Sequence, residues 1–476
     1  MTMRTSIKYD KKVISSGINK YETLAVFLIA LAIFSLPTIL RWTYFDNPSI
    51  IGFPTYLHQR QALDLDGYDE LSFGGRAYTY PPLFSYAIAG FSLLMPIHIG
   101  GMLLVAIMGA VSAAFFYLIV REHISRKYAL LSSILLILVP GTIYFNAHLS
   151  SRAPPFALGM AAIYFLLRKY SARKNLSPWL AHKNIIIAGI FLGVAALFHP
   201  ETAFFFGLVG LFRAVKDRRI CISLLLAVVI ASAYYISFIA THGFPEYSAL
   251  HEEYRSRQYS LESTRAETFF FELAPNGYLN FAIAGLAVFG IAKKRHMFLF
   301  YWLVLAIAFA LIAERFAVYL AVPVVLLALY ALIMMEKKTW FKTALTLVLI
   351  YAIMLASVKI FYFAQFYPTK EQYGTMIWIK QNTPENATIL SDWQWGHWIA
   401  GIAERRNFVD GYAEYAPNVT ARINELEQFY KTCQIPEGYN ISYIYMEKWF
   451  AASKNITCMD KFQLVHENSG FAVYKV

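Results

Sequence analysis

Repeated apolar segments of about 20 residues constrain this chain more than any other feature, because a helix of that length crosses the hydrocarbon core of a bilayer. These segments recur from residue 21 to about residue 363. Charged residues make up 15% of the 476 positions, whereas soluble domains carry about 25%. The sequence therefore predicts an α-helical polytopic membrane protein.

Clusters of Lys and Arg between the apolar segments predict its orientation, because such clusters are enriched in cytoplasmic loops. Six clusters are expected inside, at residues 4–20, 121–127, 168–183, 213–219, 293–295 and 337–342. This arrangement requires residues 81–95, which open with two prolines, to lie along or dip into the outer membrane surface. It also accounts for the net charge of +12. The tail has no basic run interleaved with aromatics, so no nucleic-acid partner is expected.

The resulting topology has about eleven spans with the N-terminus inside. The first span is expected to be a retained anchor, since no clear cleavage site follows it. We predict a cytoplasmic N-terminus (residues 1–20), a transmembrane domain (21–363) with long outer loops at 41–99 and 241–277, and an extracytoplasmic domain (364–476). The expected spans are residues 21–40, 100–120, 128–146, 155–168, 184–199, 202–213, 220–240, 276–292, 297–313, 315–335 and 342–363.

The tail mixes helix-like runs with strand-like runs such as 441–445 and 470–474, which predicts a small α/β domain. Asn-x-Ser/Thr sequons, which are acceptors only outside the cell, favour an outer location. Four lie in the tail and one, Asn175, precedes it; the tail sequons begin at Asn386, Asn418, Asn440 and Asn455. We also predict a disulfide between Cys433 and Cys458, because disulfides persist in oxidising compartments.

Ionisable residues gather at the predicted outer ends of the spans, where they are costly and usually functional. Bidentate binding of phosphate by arginine makes Arg152 and Arg315, with His199, the expected partners of a lipid phosphate. Carboxylates could act as a general base or bind a divalent cation, Mn²⁺ or Mg²⁺; the candidates are Asp46, Asp69, Glu70 and Glu201. The alternative is that these side chains snorkel or pair in hairpin turns.

Residues 391–399 (Ser-Asp-Trp-Gln-Trp-Gly-His-Trp-Ile) follow the last apolar segment and hold three tryptophans in nine positions. Tryptophan provides a large packing surface with one polar tip. The stretch is either a buried turn or a wall of the site. In the second interpretation the acceptor-side residues are Asp392, Trp393, Gln394, Trp395, Gly396 and His397.

This stretch, together with residues 377–390 and 403–410, resembles the catalytic subunit of oligosaccharyltransferases, which carries a Trp-Trp-Asp-Tyr-Gly motif in the same setting. Arg315-Phe316 resembles that family's Arg-Phe segment, whose arginine contacts the lipid phosphate. The Tyr-Pro-Pro-Leu sequence at residues 80–83 is similar to the wider C-type (GT-C) membrane glycosyltransferases. The resemblance implies a helical bundle with an outer α/β domain, a polyisoprenyl-linked sugar donor and a divalent metal.

The sequence departs from the family pattern at its acidic positions. Gln394 stands where the family has the aspartate that binds the acceptor Ser or Thr. Alignment of residues 56–60 with the family's first-loop motif puts Pro54, or a neighbour, at the metal-binding aspartate, and residues 153–160 contain no acid. An acceptor other than the sequon is therefore expected.

These observations favour a membrane glycosyltransferase that moves a sugar from a polyisoprenyl-(pyro)phosphate donor to a glycan, lipid or protein acceptor on the outer face. One alternative is a catalytically inactive relative that binds a lipid-linked glycan. A transporter is a further alternative, although transporter sites lie near the bilayer midplane and not at one interface.

Overall fold

The computed structural model describes residues 20–476 apart from 53, 79, 169–177, 216, 244–280, 294–296, 313 and 414. For residues 178–181, 281, 291–293, 314 and 315 it describes the backbone alone. Most of the predicted outer loop at 241–277, the sequon at Asn175 and the side chain of Arg315 therefore lie outside the described residues.

The first part of the chain is helical. A short antiparallel pair, β1 (Tyr68–Asp69) and β2 (Arg76–Ala77), interrupts it, and a 3₁₀ helix (Glu314–Leu320) precedes α13. The helices are α1 (Lys20–Thr43), α2 (Thr55–Leu63), α3 (Leu83–Ser92), α4 (Ile97–His123), α5 (Arg126–Ile137), α6 (Pro140–Ala147), α7 (Ala153–Arg168), α8 (Pro178–Phe198), α9 (Pro200–Ala214), α10 (Ile220–His242), α11 (Phe281–Lys293), α12 (Met297–Ile312), α13 (Ala321–Met335) and α14 (Phe341–Ala364).

Five helical segments in the described part of the chain are long and apolar enough to cross a membrane: α1, α4, α10, α14 and residues Phe316–Met335. A sixth crossing results if α5 and α6, bent by 63° at their break, form one broken span. Pro140 begins α6, where proline is tolerated because its missing N–H is not needed in the first turn. The predicted count of eleven spans stays a prediction.

Small residues bring neighbouring helices of this bundle close together, as is usual between membrane helices. A Cβ on Gly189 of α8 would lie 2.7 Å from the Ser223 carbonyl oxygen of α10, and one on Gly290 of α11 would lie 2.2 Å from the Leu327 carbonyl oxygen of α13. Elsewhere α10 presents exposed apolar side chains, including Leu225 and Ile236. Such a surface is suited to lipid.

Residues 81–95 contain the ten-residue helix α3. At 1.5 Å per residue it is about 15 Å long, half of the hydrocarbon thickness. Leu93 and Leu94 after it are more than four-fifths exposed. Helix α3 is therefore too short to be a span.

The tail (residues 364–476) contains helices and a mixed sheet, the combination that the sequence predicts. Strand order is β4-β3-β5-β7-β6, with β3 parallel to β4 and β5 and β7 antiparallel to β5 and β6. Cys433 and Cys458 form a disulfide. The elements are α15 (Lys370–Asn382), β3 (Thr388–Leu390), α16 (Gly396–Gly401), β4 (Arg406–Asn407), α17 (Val419–Thr432), β5 (Ile441–Glu447), α18 (Lys448–Ser453), β6 (Gln463–Glu467) and β7 (Phe471–Lys475).

A buried arginine ties the end of the first helix to the start of the tail. Arg41 donates hydrogen bonds to the carbonyl oxygens of Ser49 (2.9 Å), Ala364 (3.1 Å) and Phe366 (2.6 Å), and also to that of Pro368. Its side chain is fully buried. Since hydrogen bonds from a charged donor are among the stronger ones, this contact fixes the first long loop relative to the tail.

Candidate active site

The first long loop enters the core of the tail. Phe73, held at a positive φ of 54°, is 1% exposed and packs in the same apolar cluster as Leu390 and Phe408. The Asn407 backbone N–H donates to the Leu71 carbonyl oxygen (2.8 Å), and the Phe73 N–H donates to the Asn407 side-chain oxygen (3.2 Å). The loop and the tail therefore share one core.

Beside Phe73 lies a buried ion pair between Arg76 and Asp410. The Arg76 Nη2 is 3.1 Å from both carboxylate oxygens, and each side chain is 1% exposed. Ser72 also donates to Asp410. Burial alone would raise the pKa of Asp410, but Arg76, His397 and Ser72 outweigh it and the pKa is lowered. Asp410 is thus a carboxylate at neutral pH.

His397 and Asn407 complete this group, which we call the loop–tail junction (Ser72, Arg76, His397, Asn407 and Asp410). The His397 Nδ1 lies 3.5 Å from Asp410 Oδ2. Burial lowers the pKa of His397 against the opposing effect of Asp410, so the imidazole is neutral at pH 7. The Asn407 amide donates to the Gly396 carbonyl oxygen (2.9 Å).

Gly396 is required for this close approach. A Cβ at this position would lie 2.2 Å from the Val409 carbonyl oxygen and 2.5 Å from the Asp410 Cβ. No side chain fits at those distances without a backbone shift. The glycine in the aromatic stretch therefore lets the start of α16 contact the segment that carries Asp410.

Asp69 lies next to the junction, but one oxygen of its carboxylate already accepts hydrogen bonds from the first long loop. Its Oδ1 accepts hydrogen bonds from Arg60 and from the backbone N–H groups of Leu71 and Ser72, both at 3.1 Å. Its buried Oδ2 has no hydrogen-bond partner within the described ranges. Asp69 thus shapes the loop. Its neighbour Glu70 is exposed.

Histidines and an arginine extend the polar region toward the helical bundle. His58 is buried against the rings of Tyr80 and Phe84. Burial is the main reason that its pKa is lowered to about 3, and the proximity of His397, Arg152 and His148 further opposes its protonation. Arg152 is half-buried, so it is a cation at the edge of a region of neutral imidazoles.

Tyr80 connects the junction to His199 and Glu201. Its ring stacks on Tyr412 at 4.7 Å and lies 6.2 Å from the ring of His199. His199 caps α9 by accepting from the Thr202 N–H (3.4 Å). Its Nε2 is 4.0 Å from a carboxylate oxygen of Glu201, whose side chain is 43% exposed. The Glu201 side chain is therefore partly accessible to solvent, while its Oε2, the oxygen nearest His199, is buried.

The aromatic stretch contributes two accessible side chains. Trp393 and Gln394 are half-buried, whereas Trp395 is buried and stacks on Trp398 at 4.9 Å. Asp392 accepts hydrogen bonds from the Gln394 N–H (3.1 Å) and the Tyr430 hydroxyl (3.0 Å). Burial raises its pKa to about 6. Of the six acceptor-side residues expected from the sequence, Trp393 and Gln394 therefore present accessible side chains in this stretch. The buried Asp392 holds the Gln394 backbone through its hydrogen bond.

Of the candidate residues, one connected region contains Asp69, Arg152, His199, Glu201 and His397. Asp46 does not join it: it is 86% exposed and pairs with Lys370 at 2.7 Å. Sequence reasoning did not select several other residues of this region, namely His58, Arg60, Ser72, Arg76, Tyr80, Asn407, Asp410 and Tyr412. Five of these eight fall in segments compared with the family: His58 and Arg60 in residues 56–60, Tyr80 in residues 80–83, and Asn407 and Asp410 in residues 403–410.

The described carboxylates do not fit a bound divalent cation. No three His, Cys, Asp or Glu side chains converge within the part of the chain that the structure describes. Asp69 is paired with Arg60, whose side chain is 12% exposed, and Asp410 is paired with the buried Arg76; a cation would have to displace these arginines to bind either carboxylate. Pro54, which immediately precedes α2, has no oxygen ligand in its side chain; the alignment that puts Pro54, or a neighbour, at the family's metal-binding acid stays a prediction.

Comparisons with known proteins define the fold class. Residues 79–243, about a third of the chain, match the family model of dolichyl-phosphate-mannose-protein mannosyltransferases. No curated protein matches the sequence significantly. Solved structures of membrane glycosyltransferases superpose along almost the whole chain. The predicted GT-C resemblance is confirmed, because this protein has the fold of the GT-C glycosyltransferase superfamily.

The Archaeoglobus fulgidus oligosaccharyltransferase in complex with Zn and sulfate is 15% identical, with a TM-score of 0.64 over 94% of this chain and 72% of that one. ArnT from Cupriavidus metallidurans bound to undecaprenyl phosphate is 13% identical, with a TM-score of 0.64 over 96% and 98%. The mycobacterial arabinofuranosyltransferase AftD is 13% identical, with a TM-score of 0.57 over 94% and 41%.

Proposed function

We propose that this protein is a membrane glycosyltransferase that transfers a sugar from a polyisoprenyl-phosphate or pyrophosphate donor to an acceptor on the outer face of the membrane. The observation that carries the proposal is the convergence of Arg152, His199 and Glu201 with the loop–tail junction on a GT-C fold. The structures of ArnT with undecaprenyl phosphate and of the archaeal oligosaccharyltransferase with dolichol phosphate support a donor of this class.

On the donor side, Arg152 binds the phosphate. It is half-buried beside histidines that burial keeps neutral. Arg152 therefore supplies positive charge that these histidines do not, and a phosphate would be attracted to it. Arginine offers a planar fork of donors that matches phosphate oxygens. Arg315 is proposed as a second phosphate ligand on the strength of the Arg-Phe resemblance alone.

In the transfer step, a nucleophilic group of the acceptor attacks the anomeric carbon of the sugar. The new bond forms as the bond between that carbon and the phosphate oxygen breaks, and the lipid phosphate leaves with the electron pair. Glu201 takes the proton of the nucleophile, and Arg152 stabilises the charge on the leaving phosphate. His199, which caps α9, holds the first turn that carries Glu201.

On the acceptor side, Trp393 and Gln394 form the accessible surface. A tryptophan face packs against sugar rings or aliphatic groups, and the Gln394 amide both donates and accepts hydrogen bonds. Because Gln394 has no negative charge, we propose an acceptor that is read by neutral hydrogen bonds.

A second candidate function is binding of a lipid-linked glycan without transfer. The observation in its favour is that Asp69 and Asp410 are both neutralised by arginine. The two candidates share the donor site and differ only in turnover.

The proposal is tested by binding of a fluorescent polyisoprenyl phosphate to the purified protein in nanodiscs. Arg152→Ala should weaken binding at least tenfold relative to the wild type, because a charge-assisted bidentate contact contributes about 1.5–3 kcal/mol. Arg168→Ala is the matched control: Arg168 ends α7, the helix that Arg152 immediately precedes, and pairs with Glu122 at 3.4 Å. Equal binding by the Arg152 and Arg168 variants would refute the donor site.

A further inference from the structure

Glycosylation sequons are concentrated in the tail. Four of the eight asparagines after residue 363 are followed by x-Ser or x-Thr, compared with one of the seven asparagines before it. In the first long loop Asn47 has serine two positions later, but Pro48 between them disqualifies the sequence as a sequon.

The four tail sequon asparagines share a structural property. Each is exposed, and none of their side-chain amides makes a hydrogen bond within the described part of the chain; they are Asn386, Asn418, Asn440 and Asn455. By contrast, the tail asparagines outside sequons include three whose amides donate hydrogen bonds, namely Asn382, Asn407 and Asn468. The amide that would be modified is therefore accessible and unengaged at every sequon.

The backbone at three of these positions is in the left-handed region. Asn418, Asn440 and Asn455 have φ values of 54°, 51° and 53°, in the left-handed region that asparagine tolerates better than most residues. The hydroxyl residues that follow them are exposed (Thr420 and Thr457) or half-buried (Ser442). Ser442 is in β5 and its hydroxyl donates to the Asn440 carbonyl oxygen (3.2 Å), but its side chain keeps part of its surface in solvent. All three hydroxyl residues can therefore be contacted on the folded domain.

The sequon at Asn386 differs, because its hydroxyl residue Thr388 is buried in the sheet as the first residue of β3. An enzyme that needs to contact this hydroxyl cannot reach it without opening the strand.

We propose that the tail carries N-linked glycans at Asn418, Asn440 and Asn455, added to the folded domain, and that Asn386 stays unmodified. The co-substrate is a lipid-(pyro)phosphate-linked oligosaccharide, and the catalyst is an oligosaccharyltransferase. The asparagine Nδ2 bonds to the anomeric carbon and gives one proton to a base of that enzyme, while the bond from that carbon to the phosphate oxygen breaks and the lipid (pyro)phosphate leaves with the electron pair.

At least one of these glycans would stand away from the candidate site. Asn440 immediately precedes β5, which runs parallel to β3. The other end of β3 leads directly to Asp392 and the aromatic stretch. Asn440 therefore lies at the amino ends of these parallel strands and the aromatic stretch follows their carboxyl ends. A glycan at Asn440 leaves the access to Trp393 and Gln394 open.

The test is glycopeptide mass spectrometry of the full-length protein purified from membranes of its own cells. Peptides that contain Asn418, Asn440 and Asn455 should carry a glycan, and each Asn→Gln substitution should remove one glycan mass. Thr420→Val should abolish the glycan at Asn418, whereas Thr420→Ser should retain it. Asn424→Gln, at an exposed asparagine on α17 outside any sequon, should leave the mass of the glycans unchanged.

Unmodified peptides at all three positions would overturn the proposal. Equal occupancy at Asn386 would overturn the argument that the folded domain is the substrate. Both readouts are independent of the glycosyltransferase activity proposed for the protein itself.

Discussion

Asp410→Asn perturbs the loop–tail junction with almost no change in shape. The substitution removes the charge that faces Arg76 at 3.1 Å and leaves that guanidinium buried, since each partner is 1% exposed. Removing one partner of a buried ion pair costs about 3–5 kcal/mol. The asparagine side chain keeps one oxygen acceptor, so we expect the free energy of unfolding to fall by about 3 kcal/mol, at the lower end of that range.

The matched double variant separates the ion pair from the rest of the junction. Arg76→Met alone leaves Asp410 with donors from Ser72 and from the Tyr412 N–H (2.9 Å), so its cost should be smaller than that of Asp410→Asn. In the double variant neither charge is stranded, and the combined loss should be less than the sum of the single losses by about 1–3 kcal/mol.

Urea unfolding of the protein in detergent measures these losses. Tryptophan fluorescence reports mainly on the tail, which contains five of the nine tryptophans (Trp378, Trp393, Trp395, Trp398 and Trp449). If Asp410→Asn changes the free energy of unfolding by less than 1 kcal/mol, or if the two substitutions are additive, the junction does not hold the loop on the tail and the reasoning is wrong.

Three further predictions concern the tail. The folded pKa of Asp392, about 6, lies above its ordinary 3.8, so protonation of this carboxyl favours the fold. As pH rises from about 4 to 6, wild-type stability should therefore fall by about 3 kcal/mol relative to that of Asp392→Asn, because the other titrating groups contribute equally to both profiles; parallel profiles would contradict this. Gly396→Ala should lower the free energy of unfolding by about 1–3 kcal/mol through overpacking. Gly374→Ala, in open space on α15, should raise it by about 1 kcal/mol. Equal urea midpoints for the two glycine variants would contradict this. Cys433→Ser should cost about 2–4 kcal/mol by releasing the disulfide loop, and reductant should shift the melting temperature of the wild type but not of the variant.

The helical part of the fold was largely predictable because lipid imposes a simple requirement on length and polarity. The boundaries of α1, α10 and α14 fall within a few residues of the expected spans. The break between α5 and α6 was not predicted, since the apolar run at 128–146 continues across it and only Pro140 marks the bend.

The candidate site was predicted only in part, and the reason is sequence distance. Charges at span ends were visible, and Arg152, His199 and Glu201 were selected on that basis. Arg76 and Asp410 are 334 positions apart, and neither lies at a span end. A pairing between two polar loops has no periodicity, so its partners cannot be identified from one sequence.

The acids of the first long loop could not be ranked from the sequence. Asp46, Asp69 and Glu70 were alternative candidates, and Asp46 is exposed and paired with Lys370. The tertiary fold turns the loop so that Asp69 faces Arg60 instead. Composition could not distinguish an exposed acid from a buried one in the same loop.

Release of polyisoprenyl phosphate from a labelled polyisoprenyl-phosphate sugar is the measurement that tests the central claim most directly. The assay uses the protein in liposomes with a membrane extract of its own cells as the source of acceptor. We predict release by the wild type, and at least a hundredfold slower release by Glu201→Gln, because loss of a general base costs 10²–10⁴-fold. Donor binding should be unchanged in that variant. If the wild type binds the donor and releases none, transfer is contradicted and the protein binds lipid-linked glycans without turning them over.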